Sequence, residues 1–149
     1  MNFRCAELVD IDRVLPLIRD FYIFERLPFD EERSRRLIRQ LVADQTLGRL
    51  ILFEEDGGRL SGYMVLGFGF SLEFHGRDAF IDEFYVVPEA RSHGIGATAL
   101  KHAAEVVRRA GIHALHLEVD HFNERVHEFY RRMGFKDHDR HLMTLWMQP

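Results

Sequence analysis

The feature that restricts the fold most is a glycine-rich turn at residues 55–58 (EDGG). Two apolar stretches, residues 50–53 and 60–70, stand on either side of it. A short turn of this kind between two apolar stretches is typical of a β-hairpin. Because so short a connection joins only antiparallel strands, we expect the sheet to be antiparallel in this region.

The residues before the hairpin predict one strand and two helices. A strand over residues 2–9 is followed by a helix that Asp12 caps and that ends at about Glu25. Pro16 favours this late start, because proline is tolerated only near the first turn of a helix. Asp30 then caps a second helix, which runs to about Ala43.

The residues after the hairpin alternate between strand and helix patterns. They predict a long strand at residues 79–87, a helix that Gly111 ends, and a strand at residues 113–120. A short helix between Asn123 and Gly134 and a last strand at residues 141–147 complete the chain. The order is strand, two helices, three strands, helix, strand, helix, strand. It indicates an α/β chain of the mixed-sheet (α+β) kind, with helices covering the sheet.

Size and charge limit the classes of partner. The 149 residues are 46% hydrophobic and 30% charged, which predicts one domain over residues 1–149. The net charge of −4 disfavours nucleic acid and anionic lipid as partners, and no long apolar run indicates membrane insertion. The single cysteine, Cys5, excludes an internal disulfide. A cytoplasmic protein is therefore expected.

The loop after Pro88 reads R-x-x-G-x-G, from Arg91 to Gly96, and opens a predicted helix. Glycines there let an anion approach the free backbone N–H groups, and the helix end adds about half a positive charge. A pyrophosphate would fit. The glycines alone are also consistent with a plain connecting turn. A third interpretation is the G-x-G-x-x-A dinucleotide fingerprint. Its glycines should follow the strand at once, but here the first of them, Gly94, is the sixth residue after Pro88.

This loop and a second motif together resemble the GNAT superfamily of N-acetyltransferases, most closely its polyamine and small-amine branch. The second motif is N-x-x-x-x-x-x-Y-x-x-x-G-F, formed by Asn123, Tyr130, Gly134 and Phe135. Ser92 stands where glycine is frequent in that family. The resemblance implies a GNAT-like fold: a central, mostly antiparallel, twisted sheet of about six to seven strands with helices on both faces.

The resemblance also implies the cosubstrate, acetyl-CoA, and the residues that bind it. Its pyrophosphate would lie on the backbone of residues 92–97, and its pantetheine arm would add like a strand along residues 84–86. Asn123 is either an ordinary helix cap or a cofactor contact, and it can be both. The cofactor-binding residues expected in this way are Phe84, Tyr85, Val86, Arg91, Ser92, His93, Gly94, Ile95, Gly96, Ala97 and Asn123.

Three residues are candidates for the chemistry of acetyl transfer. The resemblance gives Tyr130 the role of protonating the departing thiolate, and the apolar stripe of its helix is also consistent with a tyrosine that only packs in the core. Asp82 and Glu83 are candidate bases on an apolar strand, where consecutive side chains face opposite sides. The branch resemblance favours Asp82, and a bulge in the strand could exchange the two. The backbone N–H near Val86 would polarise the thioester carbonyl.

The branch resemblance favours a small amine as the acceptor, and a cationic one in particular. The runner-up function is a non-catalytic acyl-CoA-binding module, and a dinucleotide-binding enzyme comes third. The nine histidines do not predict a metal site, because His113 and His116, three apart on a strand, face opposite sides, as do His138 and His141 if extended. Many relatives dimerise through their late strands, so a homodimer through residues 141–147 is also an expectation.

Overall fold

The computed structural model describes residues 1–147. They form two compact units, Met1–Glu118 and a second that begins at Val119. The strands are β1 (Asn2–Cys5), β2 (Gly48–Glu54), β3 (Leu60–Ser71), β4 (Gly76–Val86) and β5 (Ala114–His116). The helices are α1 (Ile11–Phe24), α2 (Glu31–Ala43), α3 (Ile95–Arg109) and α4 (Glu124–Arg132).

The five strands form one sheet in the order β1-β2-β3-β4-β5. The pairs from β1 to β4 are antiparallel, and β4 pairs with β5 in parallel. This confirms the hairpin at residues 55–58 and the mostly antiparallel, mixed sheet. The prediction of six to seven strands was too high by at least one.

The missing strand is the last one. Residues 141–147 contain no strand, although their apolar pattern predicted one. The predicted strand at residues 113–120 is also shorter, since β5 pairs with β4 through only three residues. A strand needs a partner for its backbone N–H and C=O groups, and an apolar pattern does not say whether such a partner is present.

The start of α1 lies two residues earlier than predicted. Asp10, not Asp12, occupies the position before the helix, and Pro16 lies inside α1. Asp10 is 2% exposed and its carboxylate accepts hydrogen bonds from Arg4 and Arg13. This buried ion network holds the chain at the helix entrance, so the tertiary structure outweighs the local preference of proline.

Helices cover both faces of the sheet. Leu50, Leu52 and Tyr63 pack in one core with the buried side of α1 and with Ile38 of α2. Side chains alternate along a strand, so Ile51 and Phe53 face the other way. There Phe3 packs against Phe53 and stacks on His102 of α3, with ring centroids 5.3 and 5.7 Å apart. No helix within residues 1–147 has both the length and the apolarity to cross a membrane.

Candidate active site

The glycine loop turns sharply into α3. Gly94 occupies the cap position with φ of +76°, and the helix begins at Ile95. The first turn of a helix has no internal partner for its N–H groups, so those of Ile95, Gly96 and Ala97 are available to an anion. A Cβ on Gly94 would meet no atom within 4 Å. The position is therefore open, and glycine is required there by backbone conformation rather than by space.

Ser92 adopts a left-handed backbone conformation with φ of +66°. Non-glycine residues occupy this region at a cost. Glycine would adopt this conformation without that cost. Ser92, His93 and Gly94 are all exposed, so the loop presents its backbone to solvent.

The Arg91 side chain turns back onto the sheet. Its Nε donates a hydrogen bond of 2.8 Å to the carbonyl oxygen of Val86. Its guanidinium lies 4.9 Å from the ring centroid of Phe24 and 5.6 Å from that of Tyr85. Arg91 thus ties the loop to the end of β4 and brings the predicted pyrophosphate and pantetheine segments together.

The end of β4 has an open edge. Its pairing with β5 stops at Phe80 and His116, and within residues 1–147 no strand pairs with that edge further along. Val87 N–H donates to Ser61 of β3. Since successive backbone groups point to alternate edges, the N–H and C=O groups of Phe84 and Val86 point to the open edge. A pantetheine arm could add there as a strand.

A bulge in β4 separates the two candidate carboxylates. Val65 lies opposite Glu83, and Leu66 lies opposite Ile81, which leaves Asp82 without a partner on β3. Asp82 is exposed, although its surroundings still raise its pKa through desolvation. Glu83 is half-buried. The extra residue interrupts the alternation of side chains, so the two carboxylates need not lie on strictly opposite faces of the sheet.

Two tyrosines interact with Glu83. Tyr63 Oη donates a hydrogen bond of 2.8 Å to Glu83 Oε2, and the Tyr22 hydroxyl interacts with the same carboxylate. Burial raises the pKa of Glu83, and the two phenols oppose this by favouring the charged form. Burial and the nearby carboxylate raise the pKa of both phenols, which therefore remain donors at neutral pH.

The second unit contains the other two predicted residues. The Asn123 side chain caps α4 by accepting from the backbone N–H of Val126, at 3.4 Å. Tyr130 lies on α4 between Phe129 and Phe135, with centroid distances of 5.2 and 5.7 Å. Burial raises the pKa of Tyr130 to about 12, so its hydroxyl is protonated at neutral pH.

Tyr22 and Tyr63 were not identified from the sequence. One signal was present: Glu83 and Tyr85 are two residues apart and so share the sheet face that α1 covers. The contacts themselves join α1, β3 and β4 over 20 residues or more, and no local pattern encodes them.

Comparison with known proteins gives the class. The model of the acetyltransferase (GNAT) family matches residues 11–135. Thialysine N-epsilon-acetyltransferase of Bos taurus is 31% identical over 141 residues, covering 90% of this chain and 83% of the relative. An integron cassette protein from a salt-marsh metagenome superposes with a TM-score of 0.87 and 31% identity, over 99% of this chain and 91% of its own. A predicted acetyltransferase of Clostridium acetobutylicum, solved with acetyl-CoA, shares the fold with a TM-score of 0.78 and 21% identity. The superposition covers 97% of this chain and 95% of that protein.

The fold and these matches define an N-acetyltransferase. The chain belongs to the GNAT family, and the family resemblance seen in the sequence is confirmed. As a member of that family it is an acetyl-CoA-dependent enzyme.

Proposed function

We propose that the enzyme transfers the acetyl group of acetyl-CoA directly to a primary amine of a small, cationic acceptor. The observation that carries this proposal is the pair Asp82 and Glu83. Neither carboxylate forms an ion pair with an arginine or lysine of residues 1–118. Adjacent, partly desolvated carboxylates without a cation attract an ammonium group.

In this proposal the backbone binds the cofactor. The N–H groups of residues 92–97 hold the diphosphate at the positive end of α3. The open edge of β4 at Phe84 and Val86 binds the pantetheine arm, and Tyr85 and Arg91 fix that edge to the loop. His93 and Asn123 complete the proposed set of cofactor contacts. Glycines and backbone donors suit a long, flexible, charged ligand, because few side chains need to be ordered.

The proposed reaction is a direct transfer. The acceptor ammonium gives one proton to a carboxylate, Asp82 or Glu83, and the neutral nitrogen attacks the thioester carbon. The C–N bond forms, the C–S bond breaks, and the departing thiolate takes a proton from Tyr130. The second proton of the attacking nitrogen passes to the resulting tyrosinate, which leaves a neutral amide and restores the phenol. The Val86 N–H polarises the carbonyl oxygen. The raised pKa of Tyr130 keeps its phenol protonated at neutral pH, as the acid of this step must be.

The test is release of free thiol from acetyl-CoA with a panel of amines. The panel comprises polyamines, amino acids, aminoglycosides, peptide N-termini and thialysine, the acceptor in the name of the bovine relative. The proposal predicts amine-dependent release that is fastest with a small cationic amine. Saturable binding of acetyl-CoA without amine-dependent release would instead indicate a non-catalytic binding module.

We also propose that the whole chain acts as one acetyltransferase domain in the cytoplasm, and that it forms a homodimer. The family match supports the single domain, because residues 11–135 cross the boundary between the two units. The apolar residues Leu142, Met143, Leu145 and Trp146, which are largely exposed, support a self-association surface. Light scattering after size exclusion tests the dimer, and a single species at the mass of one chain would refute it.

A further inference from the structure

Glu83 lies among aromatic side chains supplied by three parts of the chain. Phe21 packs against Tyr63 and Tyr85, with centroids 6.3 and 6.1 Å away. Tyr22 packs against Phe21 and Phe29 at 5.8 Å each. The carboxylate thus lies beside an aromatic cluster. Within residues 1–147, the groups that act on its ionisation are the phenols of Tyr63 and Tyr22 and the next residue, Asp82.

The buried carboxylate of Asp10 has a different environment. Asp10 is neutralised by two arginines, Arg4 and Arg13, at 2.7 and 2.8 Å. Glu83 has only uncharged donors, so its negative charge is oriented but not cancelled. A carboxylate offers about four lone-pair sites, and the two phenols leave capacity for a further donor. An arginine could also supply hydrogen bonds to the Glu83 carboxylate, but it would cancel the negative charge and occupy the lone pairs that a further donor needs.

The two phenols also fix where the carboxylate points. Tyr63 is fully buried in β3, and Tyr22 lies on a separate element, α1. A group held from two elements is restricted in its rotamers, whereas no side-chain hydrogen bond from residues 1–147 restrains the exposed Asp82. Positioning of a proton acceptor is worth more to the rate than its basicity alone.

We propose that Tyr22 and Tyr63 are positioning residues that hold Glu83 ionised and oriented, so that Glu83 rather than Asp82 removes the proton from the acceptor amine. The proposal rests on the proposed acetyl transfer. In the step itself, the Glu83 carboxylate takes one proton from the ammonium, which becomes the neutral nucleophile. Tyr22 and Tyr63 donate hydrogen bonds throughout and do not exchange protons.

Several charged or titratable groups set the ionisation of Glu83. Tyr63 and Tyr22 favour the charged form, and Asp82 on the same strand disfavours it. Tyr85 on β4 acts on Tyr63, and Arg33 on α2 acts on Tyr22. Loss of either phenol should therefore make Glu83 easier to protonate, and the acid limb of the pH profile should move to higher pH.

The experiment compares kcat and KM against pH for Tyr22→Phe, Tyr63→Phe, Glu83→Gln and Asp82→Asn, with the best acceptor of the amine panel. Ser61→Ala is the matched control, because it removes another buried hydroxyl from β3 that bonds to Phe53 and not to Glu83. We expect each phenylalanine variant to move the acid limb of kcat/KM upward by about one pH unit. The KM for acetyl-CoA should stay unchanged, and Ser61→Ala should not move the limb.

The two acid variants discriminate between the carboxylates. Glu83→Gln should lower kcat by about 10²- to 10⁴-fold, and Asp82→Asn should lower it by less. The proposal is overturned if Asp82→Asn costs more than Glu83→Gln, or if Tyr22→Phe leaves the acid limb in place. Tyr22 is only partly buried, so its variant gives a result even if Tyr63→Phe does not fold.

A second readout separates this proposal from the proposed function. Titration of the Glu83 carboxyl carbon by ¹³C NMR, in the protein without ligand, reports its ionisation independently of activity. We expect its midpoint to rise in Tyr22→Phe and not in Ser61→Ala. An unchanged midpoint refutes the positioning role even in an active enzyme. A shifted midpoint without acetylation of any amine refutes the proposed function and leaves the hydrogen-bonding role intact.

Discussion

Substitution of Gly94 by alanine tests whether the loop binds the cofactor through its backbone. The left-handed backbone at φ of +76° costs an alanine about 1–2 kcal/mol. The new Cβ meets no protein atom within 4 Å, so no steric clash adds to this cost. We therefore expect the melting temperature to fall by about 2–8 °C.

The same methyl group should weaken the binding of coenzyme A much more than it destabilises the fold. The Cβ would occupy open space beside the first N–H groups of α3, where the diphosphate is proposed to lie. Loss of one hydrogen bond to a charged group is worth about 1.5–3 kcal/mol, or roughly a 10- to 100-fold weaker Kd. Isothermal titration with coenzyme A measures the change.

The chain supplies a matched control at the other end of the same helix. Gly111 also has a left-handed backbone, with φ of +71°, and a Cβ there likewise meets nothing within 4 Å. Gly111→Ala should cost the same stability and leave coenzyme A binding unchanged. Equal losses of affinity in the two variants, or none in Gly94→Ala, would refute backbone binding at the loop.

Three further perturbations follow from the structure. Tyr130→Phe should lower turnover by about 10²-fold or more and leave acetyl-CoA binding nearly intact; unchanged turnover in steady-state assays would remove Tyr130 from the mechanism. Ser92→Gly should stabilise the fold by about 0.5–1 kcal/mol, since glycine is not strained at φ of +66°. His75→Gly, at φ of +67° in a distant turn, is the control and should give a similar gain. A lower melting point for Ser92→Gly would contradict the strain argument. The pKa of Asp10 is about 2 in the folded protein, below its ordinary 3.8. The resulting stability, about 2 kcal/mol, is present above pH 4 and lost as the pH falls through 2, and urea unfolding of Asp10→Asn should show a weaker dependence on pH in that range.

The parts of the fold that depend on neighbouring residues were predictable from the sequence. Asp30 caps α2 by accepting from the Arg33 N–H, and the turn at residues 55–58 joins two antiparallel strands. Gly111 and Gly134 end their helices with left-handed backbones. In each case the residue type itself restricts the backbone or satisfies it, so local chemistry decides the outcome.

The parts of the fold and of the site that depend on distant residues were not predictable from the sequence. Burial of Asp10 between Arg4 and Arg13 moved the start of α1 away from Asp12. Strand formation at residues 141–147 requires a partner that no local pattern specifies. The bulge at Asp82 was anticipated as an alternative. The interactions of Tyr22 and Tyr63 with Glu83 were not anticipated, because they come from three elements that meet at one carboxylate.

Titration of ¹⁵N-labelled protein with coenzyme A tests the central claim most directly. The account predicts saturable shifts that are largest for the backbone amides of Ile95, Gly96 and Ala97, with further shifts at Phe84 and Val86. Phosphate-free pantetheine should move the β4 amides and leave those of the loop in place. Saturable binding of coenzyme A that leaves the amides of residues 92–97 unperturbed would contradict the account.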